Sequence, residues 1–166
     1  KWSNGDAVTS NDFAFSWKRV LTPGFPADYA QMLWVIEGAE AYNKGTNTDW
    51  ASVGVKTPDP QTLVVTLTNP TPYFLELTAF YTFFPTPEKA IADHGDEWTK
   101  PENIVCNGPY RMTTYNHQQE ILLEENPHYW DKATTKIKKA KLRIIPDSNA
   151  RVNAYKTGEL HWSGAG

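Results

Sequence analysis

The apolar residues change their spacing part-way along the chain, and that change limits the folds open to it. In the first quarter they recur at helical intervals. Phe13, Trp17, Val20 and Leu21 fall at i, i+4, i+7 and i+8, one face of a helix. Thr9 is placed to cap that helix, with Asp12 three residues on as the acid of a capping box. Lys18 and Arg19 suit its electronegative C-terminal end, and Pro23-Gly24 stops it. A second helical pattern starts near Asp28, with Tyr29, Met32, Leu33 and Ile36 on one face and Gly38 interrupting before Tyr42. From Val53 the period becomes two. Val53 and Val55 alternate, as do Leu63, Val65 and Leu67, with Pro58-Asp59-Pro60-Gln61 between the runs. That pattern predicts a hairpin with one buried face.

Further on, the spacing predicts a short helix over 72–79 carrying Tyr73, Phe74 and Leu77. Thr86-Pro87-Glu88 reads as N-cap, first-turn proline and acid of another helix, closed by Gly95. Residues 101–109 read as loop. Strands are expected at 110–115 and 119–125, and around Ile137, Leu142 and Ile144 up to Pro146. Asp147 can cap a helix that includes Val152 and Tyr155 and ends at Gly158, with a last strand from Leu160. Strands and helices mix without a regular βαβ rhythm, which favours an α+β fold.

Composition narrows the function. The 166 residues carry 16 Lys+Arg against 19 Asp+Glu, a net charge of −3, which argues against non-specific nucleic-acid binding. The single Cys106 forms neither an internal disulfide nor a cysteine-based zinc site. It has no basic neighbour in sequence to lower its pKa, so a quiet, partly buried thiol is expected. No stretch approaches the roughly 20 apolar residues of a membrane span. The abrupt ends, Lys1-Trp2-Ser3 and Ser163-Gly164-Ala165-Gly166, suggest a piece of a longer protein.

The candidate chemistry is thin. Asp93-His94-Gly95-Asp96-Glu97 collects possible metal ligands but straddles a helix stop, so a solvated helix end is favoured. Ser163 fails the nucleophile-elbow pattern, with His161 two residues before it and Ala165 two after. Glu124 and Glu125 are adjacent, so strand alternation sends them to opposite faces, a poor glycosidase pair. No phosphate-binding glycine loop exists. Lys139, Lys141 and Arg143 share one strand face, read as solvated. The aromatics at 73–84 are the most informative feature. Phe80, Tyr81, Phe83 and Phe84 cannot all face one way on any regular element, so some must meet solvent, a ligand or a partner domain.

Five blocks in order resemble the family 5 extracellular solute-binding proteins, the peptide-binding receptors of ABC importers. They are Lys1–Thr9 with Asp12-Phe13 and Ser16-Trp17; Asn69-Pro70-Thr71-Pro72-Tyr73-Phe74; Asn103–Tyr110; Asn126-Pro127-His128-Tyr129-Trp130; and Tyr155-Lys156-Thr157-Gly158-Glu159-Leu160. The Tyr29-Ala30 region is most similar to the oligopeptide-binding branch. Two departures, His161 where Asp is usual and Cys106 where Thr is common, bear on ligand choice.

The resemblance implies a type II, two-lobe periplasmic-binding-protein fold with a mixed sheet and flanking helices, the ligand enclosed between the lobes. This chain would be the middle of the first lobe: residues 1–109 mostly its extra subdomain, 110–166 part of the main ligand-binding lobe, with the second lobe absent. It implies an oligopeptide ligand held extended, membrane subunits of an ABC importer as partners, and an extracytoplasmic location, periplasmic or lipid-anchored. Relatives also bind dipeptides, cell-wall peptides, nickel complexes or haem. Tyr29 matches a tyrosine that contacts peptide in the oligopeptide branch, and Phe80 a position lining a side-chain pocket. Ser163–Gly166 align with the segment that runs into the cleft. The candidate ligand-binding set is Tyr29, Phe80, its neighbour Tyr81, Ser163 and Gly164, with no catalytic residue, metal or cofactor. The rivals are a peptide-cleaving enzyme and an aromatic carbohydrate-binding module.

Overall fold

In the computed structural model, which describes residues 1–164, helix α1 spans Ser10–Leu21. Asp12 supplies its capping acid: one carboxylate oxygen accepts from the Thr9 backbone N–H at 2.7 Å and from the Thr9 hydroxyl at 3.2 Å. Trp17 and Leu21 point into the core, as the spacing requires.

The second helical pattern folds differently. It is a 3-10 helix over Ala30–Val35, and Tyr29 stands just before it. Gly38 then takes a left-handed backbone, φ +73°, that starts helix α2, Ala39–Asn43. A side chain at residue 38 would also strike the Ser52 carbonyl, 2.6 Å from its Cβ, so glycine is required twice over.

Strands β1, Val55–Asp59, and β2, Thr62–Val65, form the expected antiparallel hairpin. Val55 is buried, and Leu63 and Val65 pack on the core, while Val64 on the opposite face is exposed. The Val35–Glu37 segment adds along this hairpin. Glu37 N–H donates to Thr66 O, Gly54 N–H to Glu37 O, and Thr68 N–H to Val35 O, at 2.8–2.9 Å. The hairpin tip is pinned to α1, where the Ser10 hydroxyl donates to Asp59 O at 2.6 Å. Trp17, Leu21, Leu33, Ile36, Ala39, Tyr42, Val53, Val55 and Phe83 make one core from these pieces.

The short helix α3 covers only Phe74–Leu77. Helix α4, Glu88–His94, starts one residue later than the sequence suggested. Pro87, not Thr86, is its capping residue, because the Pro87 carbonyl accepts the first helical bond, from Ile91 N–H. Thr86 Oγ1 is therefore left buried without a partner.

Strands β3, Tyr110–Asn116, β4, Glu120–Glu125, and β5, Lys139–Arg143, form a sheet in that order. Every pairing among the described strands is antiparallel, so any parallel pairing of a mixed sheet lies outside them. The solvated face of β5 carries an ion-pair ladder across to β4, where Lys139 meets Glu124 at 2.9 Å and Lys141 meets Glu120, while Arg143 reaches Glu159 beyond α5 at 3.1 Å. Helix α5, Ser148–Lys156, is capped by Asp147, whose carboxylate accepts from Ala150 N–H at 2.7 Å. The expected strand from Leu160 does not form over 160–164. Gly158 turns the chain with φ +81°, and Leu160 N–H folds back onto Ala154 O, which closes the helix end.

Three of the five blocks, Lys1–Thr9, Asn103–Tyr110 and Asn126–Trp130, meet at the joint between the helical part and the sheet. Ser3 N–H donates to Cys106 O at 2.7 Å, and Cys106 N–H returns to the Ser3 hydroxyl at 3.2 Å. Asn126 is fully buried and holds the same loop: its amide donates to Gly108 O, its N–H to Pro109 O, and its side-chain oxygen accepts from His128 N–H. A buried asparagine with these groups paired is a rigid fastener.

Candidate ligand-binding surface

The aromatic run resolves as geometry requires. Phe83 faces the core and is 2% exposed, while Phe84 and Tyr81 face out. The turn that divides them is a single 3-10 turn over Tyr81–Phe83, closed by Phe83 N–H to Phe80 O and Phe84 N–H to Tyr81 O. Helix α1 holds that turn from behind. The Trp17 indole N–H donates to the Phe83 carbonyl at 3.0 Å, and the Ser16 hydroxyl donates to the Phe84 carbonyl at 2.8 Å. Trp17 and Phe83 also pack edge to face, 5.7 Å between centroids.

Three of the five candidate residues come together on this support. Phe80 and Tyr81 lie 4.4 Å apart with rings 32° from parallel. Tyr29 stands at right angles to both, 5.3 Å from Phe80 and 5.9 Å from Tyr81. Phe80 is half-buried against the core. Tyr29 is 44% exposed and Tyr81 59%. Tyr29 is thus no core residue, although it shares a spacing with buried Leu33. The 3-10 helix begins after it, so its ring leaves the face that a continuous α-helix would have buried. Burial, then Tyr29 and Asp28, push the Tyr81 hydroxyl above its ordinary range. Asp28, read from the sequence only as the start of a helical pattern, stands next to Tyr29 in the chain.

Ser163 and Gly164 are not brought to this corner. They are half-buried in the segment after α5, where the Trp162 ring packs within 2.9 Å of the Gly164 Cβ position, and no hydrogen bond or ring contact joins them to the triad. Ala165 and Gly166 lie outside the described residues.

Other chemistry-bearing groups have structural partners. Asp93 pairs with Lys89 at 2.5 Å, and Asp12 is engaged in its cap. A cleft of 380 Å³ between the first residues and α4 is lined by Trp2, Asp6, Asp12, Asp93 and His94, with no group of three potential metal ligands among the described residues. Burial pushes the Cys106 thiol up, and its Sγ donates to Tyr110 O at 3.0 Å, the quiet cysteine expected. Glu124 and Glu125 point apart, to Lys139 and Lys138. No described helix is long and apolar enough to cross a membrane.

The family model of bacterial extracellular solute-binding proteins, family 5 Middle, matches residues 1–166. The chain belongs to this family. It is 45% identical over 166 residues to the oligopeptide-binding protein OppA of Bacillus subtilis, covering 99% of this chain and 30% of that protein. It is 38% identical to the periplasmic oligopeptide-binding protein OppA of Salmonella typhimurium, over 96% of this chain and 30% of that one. Haemophilus influenzae OppA, solved in complex with RPPGFSPFR, superposes with a TM-score of 0.90 at 38% identity, over 96% of this chain and 31% of that one. The fold is accordingly the α+β portion of an OppA-type binding protein. The chain spans about a third of the length of these relatives.

Proposed function

We propose that this chain is part of the first lobe of a receptor that captures oligopeptides for an ABC importer. The observation that carries the reading is the exposed corner of Tyr29, Phe80 and Tyr81, fastened to a buried core, in a chain whose relatives include oligopeptide-binding proteins. Side chains this apolar are left open to water where something else is to cover them. In this reading residues 1–109 are mostly the extra subdomain and 110–166 part of the main lobe. A second lobe of the same protein closes over the peptide, and membrane subunits of the importer recognise the closed state. The peptide lies extended and pairs its backbone as an added strand would. Ser163 and Gly164 lead toward the cleft, and the ligand-binding step breaks no bond, so no catalytic residue or cofactor takes part. The protein works outside the cytoplasm, in a periplasm or anchored by lipid at the cell surface.

Relatives named for a dipeptide, a murein peptide and deoxycholate share 35–39% identity with this chain, so ligand class is the point to test. The experiment is mass spectrometry of small molecules released by denaturing the intact protein that carries this chain. A ladder of mixed peptides is expected. A single defined compound or a sugar would overturn the oligopeptide reading.

A further inference from the structure

We propose that Asn107 is a self-modification site: it deamidates through the Gly108 nitrogen to aspartate and isoaspartate, and the change loosens the joint between the helical part and the sheet. The inference stands apart from the identity of the ligand.

The chain has two Asn-Gly steps, Asn4-Gly5 and Asn107-Gly108. Glycine has no side chain to crowd a ring that closes through its nitrogen. Asn69 and Asn126 precede proline, which has no N–H to give up. Exposure alone would favour Asn4, which is exposed, over Asn107, which is half-buried. Hydrogen bonding reverses that order. Asn4 Nδ2 donates to the Asp6 carboxylate at 2.7 Å, and Asn4 Oδ1 accepts from Asp6 N–H at 3.1 Å. The Gly5 N–H donates to Trp2 O at 2.9 Å, and the His128 ring stands 3.5 Å from where a Gly5 Cβ would lie.

Asn107 has none of this protection. Among the described residues its side chain makes no hydrogen bond, and no oxygen accepts from the Gly108 N–H. That N–H is left to the Cys106 sulfur, a weak acceptor. The space beside Gly108 is open, with nothing within 4 Å of a Cβ built there.

The chemistry needs only water. Hydroxide takes the Gly108 N–H proton, and the nitrogen attacks Asn107 Cγ. A C–N bond forms there while the Cγ–Nδ2 bond breaks, and Nδ2 leaves as ammonia after taking a proton from solvent. Water then opens the cyclic imide. Opening at Cγ gives aspartate. Opening at the main-chain carbonyl gives isoaspartate, whose main chain runs through Cγ. A water is consumed and an ammonia released.

The position gives the change a consequence. Asn107 lies between the ties of the joint. On one side Ser3 N–H donates to Cys106 O at 2.7 Å. On the other the buried Asn126 donates to Gly108 O and Pro109 O, both at 2.9 Å. Isoaspartate lengthens the main chain between these ties by a methylene carbon and adds a carboxylate to a half-buried loop, so the Asn126 tie gives way.

The test is to hold the intact protein in mildly alkaline buffer and follow the peptides carrying residues 4 and 107 by mass spectrometry. Isoaspartate is counted by enzymatic methyl labelling. Three hydrogen bonds must open before Asn4 reacts, so Asn107 should convert about 100-fold faster. In urea, where both steps are open, the two rates should converge. Gly108→Ala, for which there is room, should fold as wild type and convert more slowly. The aged protein should lose amide-exchange protection at Asn126, and Asn107→Ala aged in the same way should keep it. Asn107 converting no faster than Asn4 in the folded protein overturns the inference, as does a gap that persists in urea. Unchanged protection at Asn126 after residue 107 has converted overturns the loosening of the joint.

Discussion

Replacing Trp17 by phenylalanine tests whether α1 holds the turn that presents Phe80 and Tyr81. Trp17 is 2% exposed, and its indole N–H donates to the Phe83 carbonyl at 3.0 Å. Phenylalanine keeps a ring against Phe83 but removes about three buried heavy atoms, one of them the donor nitrogen. At roughly 0.8 kcal/mol for each buried carbon, the packing loss is about 2 kcal/mol. The Phe83 carbonyl, in a residue itself 2% exposed, loses its partner at a cost of about 1–3 kcal/mol. The sum is about 3–5 kcal/mol, a large part of the 5–15 kcal/mol that ordinarily stabilises a domain. Equilibrium urea unfolding followed by far-UV ellipticity reads this directly. With a slope of about 2 kcal/mol per molar, the midpoint should fall by roughly 1.5–2.5 M. Ser16→Ala removes the second tie, to Phe84 O, and should cost only about 1 kcal/mol, since that bond is partly exposed. A Trp17→Phe midpoint within about 0.3 M of wild type, at unchanged slope, would show that the indole bond does not secure the turn.

Other substitutions probe the joints and the charges. Gly54→Ala sets a methyl 2.5 Å from the Thr66 carbonyl, a backbone atom that cannot yield without breaking the bond from Thr66 N–H to Gly54 O; a loss of about 2–3 kcal/mol is expected in the same unfolding assay. Asp147→Ala removes the cap of α5 and should lower stability by about 1 kcal/mol, with amide exchange faster at Ala150 than at Asn126. Lys141 and Lys139 hold the Glu120 and Glu124 carboxyls below their ordinary value of 4.5, so their stabilisation is complete above that pH and is lost as pH falls through the lowered values. The thermal midpoint should therefore drop on acidification below about pH 4.5, less steeply in Glu120→Gln, and a drop equally steep in that variant would count against the ladder. Burial should make Cys106 alkylate more slowly than a free thiol at pH 8, and unfolding should restore the ordinary rate.

Local features of the sequence survived into the structure where the responsible interactions span a few residues. The Thr9–Asp12 cap, the stop at Pro23-Gly24, the hairpin and the Asp147 cap are all decided within a turn or a cross-strand pair. Thr86 misled because capping is a matter of which carbonyl takes the first helical bond, and Pro87 took it. The strand expected from Leu160 lost to a helix-closing bond back to Ala154, a competitor that a hydrophobic pattern cannot display. Tyr29 followed the same logic: its spacing matched Met32 and Leu33, but a 3-10 start moved it off their face.

By itself the sequence determined the α+β class, the family and the fact that some of the four aromatics at 80–84 had to leave the core. Those follow from periodicity, from ordered blocks of residues and from the directions a short segment can point its side chains. Only the tertiary structure decided which rings left. Trp17 and Ser16, more than sixty residues away, hold the carbonyls of Phe83 and Phe84, and that anchoring turns Phe83 inward and Tyr81 outward to meet Tyr29. The buried Asn126 joins Gly108 and Pro109 to the sheet in the same way, through polar groups that must be paired once water is excluded. Such pairings have no sequence period, because the partners become neighbours only after the chain has folded.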